Sequence, residues 1–353
     1  MKVTIQDIAD ELGISRNTVS KALNNSEGIA ADTRERILRK AVEMGYKQFS
    51  YVRSMSELSL EPQERSAAGP TEAGDVALLT SYHLEGSHFA LTMIDRLRTE
   101  LANFGYTLTP YYVSREDLKH KQLPYPLPTE NTKALVCFEM FDRDYDDMLC
   151  ALNMPLLFVD GPSPHNGHTL SADCILMDNV KALMELAHEM LENGKERIGF
   201  IGDVTHCKSF FERYSAMLLA LSRAHKPTDS LCFINSNDPI ELYFVLSNLE
   251  ELPDLFFCAN DSVAIDTMNI LQKLGKSIPE DVMICGFDDS EESRHVSPTL
   301  TTVHIHTQSM AYVAAQMLIS RIQEPTLEIR TVYLNTDLIR RESTRLRTGN
   351  TGN

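Results

Sequence analysis

Arg16, Asn17 and Lys21 fall within six residues, preceded by Ser15 and interleaved with Thr18. Side chains of these types can read DNA. Arginine and lysine donate to O6 and N7 of guanine, and asparagine pairs with N6 and N7 of adenine. Short hydroxyls such as Ser15 and Thr18 suit phosphate oxygens. That chemistry needs the reading residues on one exposed face, held by a buried one, and the neighbouring sequence supplies it. Ile5, Ile8, Ala9 and Leu12 form the apolar stripe of a first helix, with Thr4 placed to cap it and Asp7 three residues later. Gly13 suits the left-handed residue that ends this helix. Ser15 can cap a second helix from Arg16 to about Asn24, with Val19, Ala22 and Leu23 inward. A third is expected from about Asp32 to Met44, with Ile37, Leu38, Ala41 and Val42 inside and Gly45 closing it. The small Ala9 lets the first two helices approach closely. This is the physics of a helix-turn-helix, in which the start of the second helix meets base edges in the major groove. A generic three-helix bundle with a solvated polar face has the same spacing and stays open at this point.

Other chemistry-bearing patterns carry less. Gly275-Lys276-Ser277 imitates the tail of a phosphate-binding loop, but Ile270 occupies the required first glycine position and the triplet follows a helical stretch. His304 and His306 could share one strand face as metal ligands, yet no third ligand lies nearby in sequence, so no metal site is expected. Asp288-Asp289 and Asp146-Asp147 are adjacent acids whose side chains point to opposite sides of an extended segment, a poor arrangement for paired acid–base work. No G-x-S-x-G or H-E-x-x-H occurs. No catalytic residues and no cofactor are expected, and the chain does not read as an enzyme.

The 353 residues are enough for two or three folding units. No run of about 18 apolar residues is present, so no membrane partner is expected. The first residues, Met1 to Asp7, lack the apolar segment of a secretory signal. Seven cysteines, widely spaced and without a C-x-x-C, suggest buried thiols in a cytoplasmic protein. The net charge of −17 is unevenly distributed. Residues 1–60 carry nine Lys/Arg against eight Asp/Glu, whereas the remainder carries 24 against 42. An acidic body repels DNA, so contact must be confined to the N-terminal unit.

From Asp75 onward the pattern changes to short apolar runs separated by amphipathic stretches. The runs include Val76–Thr80, Ala134–Phe138, Leu156–Val159, Ile198–Ile201, Leu255–Cys258 and Val282–Cys285. The helical stretches include Phe89–Phe104, Lys181–Glu192, Phe211–Arg223 and Ser262–Leu274. Continuous apolar runs are the mark of parallel strands buried on both faces. The expected class is α/β: a small all-α helix-turn-helix domain, then a two-lobed domain with parallel sheets. Its divisions are residues 1–58 with a hinge segment, a Pro/Gly-containing linker over 59–74, and a body over 75–345. The first lobe is placed at about 75–172 and 305–329, the second at about 173–304 and 330–345.

Several motifs in order resemble the LacI family. They are Val3 to Ala9, Gly13 to Asn24, Thr33 to Ile37 and Gly45-Tyr46, then Leu157 to Asp160, Asp178-Asn179, Gly194 to Gly202, Glu212-Arg213-Tyr214, Cys258 to Asp261, Gly286 to Asp289 and Ile339 to Thr344. The resemblance spans nearly the whole chain. It implies a body like a periplasmic sugar-binding protein, with a small-molecule effector between the lobes, and a homodimer on a pseudo-palindromic operator. DNA contacts are then implied at Thr4, Ser15, Arg16, Asn17, Thr18, Lys21 and Asn24. The implied effector pocket is Asp160, Arg213, Asn260 and Asp288, carboxylates, amide and guanidinium that suit hydroxyls in paired hydrogen bonds. Capping and turn formation are the alternative for Asn260. The sequence departs from the family at the hinge: Gln48-Phe49 stands for the usual Pro-Asn, and Met55 is the candidate minor-groove wedge in place of a leucine. The linker is also longer, so a weaker hinge is expected. Ala216 replaces the glycine expected after Arg213. The expected function is a sequence-specific transcriptional repressor controlled by a sugar or sugar derivative. A regulator controlled by a protein corepressor and a solute-binding protein without a DNA role are the alternatives.

Overall fold

The computed structural model describes residues 4–23, 30, 33–34, 36–37, 40–41, 44, 74–81, 88–164 and 170–345. The chain divides into two compact units, Met1–Gly69 and Pro70–Asn353. Asn24, Met55 and the hinge and linker lie outside the described residues.

In the first unit, α1 spans Ile5–Leu12 and α2 spans Arg16–Leu23. Thr4 Oγ1 accepts from the Asp7 N–H, and the Asp7 carboxylate accepts from the Thr4 N–H at 2.8 Å. These two bonds satisfy donors that a helix start leaves open, and they hold the Asp7 carboxyl below its ordinary range. Gly13 ends α1 at φ 65°, a left-handed conformation that costs glycine little. Ser15 Oγ then accepts from the Thr18 N–H at 3.0 Å and opens α2. Ile8, Ala9, Val19 and Ala22 bury together with Ile37 and Ala41, which lie in the region of the expected third helix. Each fully buried aliphatic side chain of this kind contributes about 1.5–3 kcal/mol relative to an exposed one.

The second unit alternates strands and helices. Its first sheet contains β1 (Gly74–Thr80), β2 (Tyr106–Tyr112), β3 (Thr132–Phe138), β4 (Leu156–Val159), β5 (Asp173–Met177) and β11 (Thr331–Leu334). The order is β11-β5-β4-β3-β1-β2, and every pairing is parallel. The helices of this lobe are α3 (His88–Ala102), α4 (Arg115–His120), α5 (Arg143–Cys150) and α10 (Thr307–Gln323). The second sheet contains β6 (Ile198–Ile201), β7 (Cys232–Ile234), β8 (Leu255–Cys258) and β9 (Met283–Cys285), ordered β7-β6-β8-β9 and also parallel. Its helices are α6 (Lys181–Glu192), α7 (Lys208–Arg223), α8 (Pro239–Ser247) and α9 (Asp261–Lys273). A separate antiparallel ribbon joins β10 (Thr302–Ile305) to β12 (Thr336–Ile339). Apolar clusters cover both faces of both sheets, which explains the unbroken apolar runs.

Strand pairing corrects the expected lobe boundaries. The expected boundaries put residues 173–177 and 331–334 in the second lobe, but β5 pairs with β4 and β11 pairs with β5. Both strands therefore belong to the first sheet. Asp173 locks this edge: it receives Arg321 at 2.8 Å and Arg330 at 2.6 Å. Burial alone would push its carboxyl up, but the two guanidinium groups outweigh burial and hold it down.

Candidate DNA-reading helix and effector cleft

At the start of α2, Arg16, Asn17 and Lys21 are exposed while Val19 and Ala22 are buried. The 3.6-residue period makes this division, because positions 19 and 22 face the core and positions 16, 17 and 21 cannot. Ser15 is exposed and Thr18 half-buried, their hydroxyls 2.8 Å apart. Thr4 is exposed but committed to its cap.

The second unit holds a cavity of about 970 Å³ lined by both lobes and by β10. Asp160, Arg213, Asn260 and Asp288 all line it. Asp160 directly follows β4 with φ 60°, Asp288 lies just beyond β9 with φ 116°, and Asn260 stands between β8 and α9. Ligand sites of parallel sheets form at these carboxyl ends of strands.

Arg213 projects from α7 and is 2% exposed. Its Nε donates to Asn179 Oδ1 at 2.9 Å, and Nη1 donates to the Ala259 carbonyl at 2.5 Å. The guanidinium lies 3.5 Å from the centroid of the Phe287 ring. Asn179 is held in turn by donating to Glu212 at 2.8 Å. Burial lowers the Arg213 pKa, opposed by the charges of Asp288 and Asp160. Asp288 is pushed up to about 8 by burial, which the Arg213 charge only partly offsets. Burial also raises Asp160, against hydrogen bonds from the Gly161 N–H and Ser209. Asn260 proves to be the N-cap of α9, its Oδ1 accepting from the Val263 N–H at 2.9 Å. The capping alternative is thus realised at a residue that also lines the cavity.

Three further features of the cleft were not singled out in the sequence. Glu139 follows β3 at φ 52°, lines the cavity, and is pushed up to about 7 by burial, with Asp160 adding to the shift. Asp261 accepts from Thr302 Oγ1 at 2.5 Å and from the Ser290 N–H at 2.8 Å, yet burial still pushes it up to about 6. An aromatic wall joins the lobes, with the Phe141 and His206 rings 4.9 Å apart and His206 and Phe210 5.2 Å apart. A usable signal existed for Glu139. It is the first polar residue after the apolar run Ala134–Phe138, just as Asp160 is after Leu156–Val159. The paired histidines are each engaged by an aspartate, His304 by Asp289 at 2.9 Å and His306 by Asp337 at 3.0 Å.

Residues 4–48 match the family model described as bacterial regulatory proteins, lacI family, and residues 187–344 match the periplasmic binding protein-like domain. The chain carries a LacI-family helix-turn-helix domain and a periplasmic-binding-protein-like domain. Named relatives match it almost end to end. It is 27% identical to the probable HTH-type transcriptional repressor ExuR of Bacillus subtilis (strain 168), over 97% of this chain and 98% of the relative. It is 26% identical to the HTH-type transcriptional regulator GalR of Lacticaseibacillus casei, over 96% of this chain and 99% of the relative. Among solved LacI-like structures, the transcriptional regulator CelR–cellobiose complex aligns with a TM-score of 0.66 at 23% identity, covering 97% of this chain and 100% of that one. The lac repressor dimer bound to operator and the anti-inducer ONPF aligns with a TM-score of 0.65 at 19% identity, covering 98% and 99%. These structural likenesses establish the fold. Among the described residues, no helix is long and apolar enough to cross a membrane.

Proposed function

We propose that this LacI-family regulator represses transcription by placing the start of α2 in the major groove of a pseudo-palindromic operator, as a homodimer, under the control of a small effector in the cleft. Arg16, Asn17 and Lys21 read bases, and Ser15 and Thr18 serve phosphate. Asp160, Arg213, Asn260 and Asp288 hold the effector, with Asn179 as the brace that positions Arg213. The observation that carries this reading is the convergence of those four distant residues on one cavity between two lobes, with Arg213 pinned by Asn179 and the Ala259 carbonyl. Pinned donors and acceptors at strand ends suit a polyhydroxylated ligand, because little side-chain entropy is lost on binding. The solved CelR complex contains cellobiose, which supports a sugar or sugar derivative as the effector class.

The test is a thermal-shift panel of sugars and sugar derivatives, followed by operator gel shifts with each hit. A ligand at 100 times its dissociation constant should add about 2.7 kcal/mol to stability. At least one hit should also change operator affinity. Hits that stabilise the protein and leave every operator complex untouched would contradict the regulatory reading.

A further inference from the structure

Charge accounting in the cleft narrows the effector beyond the class proposed above, and rests on that reading of the cavity as the effector site. Arg213 is already engaged on Asn179, on the Ala259 carbonyl and on the Phe287 face. Arg294, another cation on the lining, pairs with Asp289 at 2.8 Å. Facing them on the lining, the carboxylates of Glu139 and Asp288 make no hydrogen bond or ion pair to the described residues, and Asp160 stands beside them. The cavity therefore holds more carboxyl groups than its own cations pair, and burial favours the protonated forms of Glu139 and Asp288 until a cation joins them. A second observation, independent of the acids, points the same way. Phe89 and Phe141 line the same space, beside Phe210, whose ring already has the Arg213 guanidinium 5.7 Å from its centroid, and aromatic faces attract cations. His206 in that wall has its pKa lowered by burial, so it adds little positive charge at neutral pH.

We infer that the effector carries a positive charge, an amine that seats against Glu139 and Asp288 beside the phenylalanine wall, as in an amino sugar. An anionic ligand such as a uronate or sugar phosphate meets two unpaired acids with only one partly committed guanidinium to oppose them. A neutral sugar leaves those acids in their protonated forms and gains only neutral hydrogen bonds from them, weaker than charge-assisted ones. An ammonium group at about 3 Å offsets them directly and draws them into the ionised state.

The experiment compares matched triplets by thermal shift and titration calorimetry on the full chain. Each triplet is a hexosamine, the parent hexose and the corresponding hexuronate, in gluco, galacto and manno configurations. Spermidine and choline are included as amines without a sugar frame. One hexosamine should bind at least tenfold more tightly than its parent hexose and release protons, seen as a binding enthalpy that depends on the buffer. E139Q should shrink that preference at least tenfold. Equal or tighter binding of a neutral or anionic sugar would overturn the inference and leave the sugar-effector reading standing. Binding of spermidine or choline alone would support the charge inference and overturn the sugar reading. No response to any amine would overturn the inference, as would an amine preference unchanged in E139Q.

Discussion

Glu139, Asp160 and Asp288 share a backbone peculiarity as well as a cavity: all three hold positive φ angles, 52°, 60° and 116°. Side chains with a Cβ rarely adopt such conformations, and each costs on the order of 1 kcal/mol or more. Three such residues stand at three strand ends on one cleft, the kind of place where backbone strain gathers at functional sites. Asp146 is a different kind of costly acid. It is fully buried on α5, neither carboxylate oxygen has a hydrogen-bond partner among the described residues, and burial pushes its pKa up to about 8, with Asp142 and Asp147 adding to the shift. Because the folded value lies above the unfolded one, its stabilising effect is complete below about pH 4 and is lost as pH rises toward 8. Asp146→Asn should therefore flatten part of the fall in stability between pH 5 and 8, measured as urea midpoints. Parallel curves for the two proteins would show that Asp146 ionises freely in the fold. On α2, Asn17→Ala, Arg16→Ala and Lys21→Ala should each cost about 1–3 kcal/mol of operator binding and relax preference at particular base pairs. Binding selections on randomised operators check this. Equal weakening on all sequences would mean that these residues touch only phosphate.

Elements place these side chains through a few close approaches. Gly286 follows β9 where an added Cβ would collide with the Asp261 carboxylate and come within 3.2 Å of the Asp261 Cα. That carboxylate is fixed by Thr302 and Ser290, so it cannot retreat cheaply. Gly286→Ala should destabilise the second unit by about 1–3 kcal/mol, read from chemical denaturation, and displace the neighbouring Asp288. An unchanged midpoint would mean that the β9 turn has slack which the packing does not suggest. The strands most readable from sequence were those buried on both faces. Leu156–Val159, Ile198–Ile201 and Leu255–Cys258 are found with their expected bounds. Apart from Val282–Cys285 at the β9 edge, the edge and ribbon strands carry no such run. β2 buries only Leu108 among half-buried and exposed residues, β11 alternates exposed and half-buried ones, and β12 buries only Thr336, so no continuous apolar run marks them. β5 was missed for another reason. It begins with a charged residue, Asp173, whose burial is made tolerable by Arg321 and Arg330 from far along the chain. Local pattern cannot reveal such a partner. The four pocket residues were reached through motifs resembling a family, and the local rule that finds Asp160 would also have found Glu139.

At the scale of the molecule, a nearly neutral reading unit is joined to a strongly acidic body, and the two must communicate if the protein is a regulator. A ligand shifts such an equilibrium only by its difference in affinity between the two states. Arg213 is the natural lever in the body, because it comes from one lobe, reaches the cavity that both lobes line, and is held from three sides. Arg213→Lys would keep the charge and lose the forked geometry and the stacking on Phe287. The most direct measurement is operator affinity by fluorescence anisotropy, with and without a ligand identified from the panel, for the parent and for Arg213→Lys. The ligand should change the operator dissociation constant of the parent by at least fivefold, and Arg213→Lys should still bind operator but lose that response. A parent affinity indifferent to every cleft ligand, or a variant that responds as the parent does, would contradict control of DNA binding from this cleft.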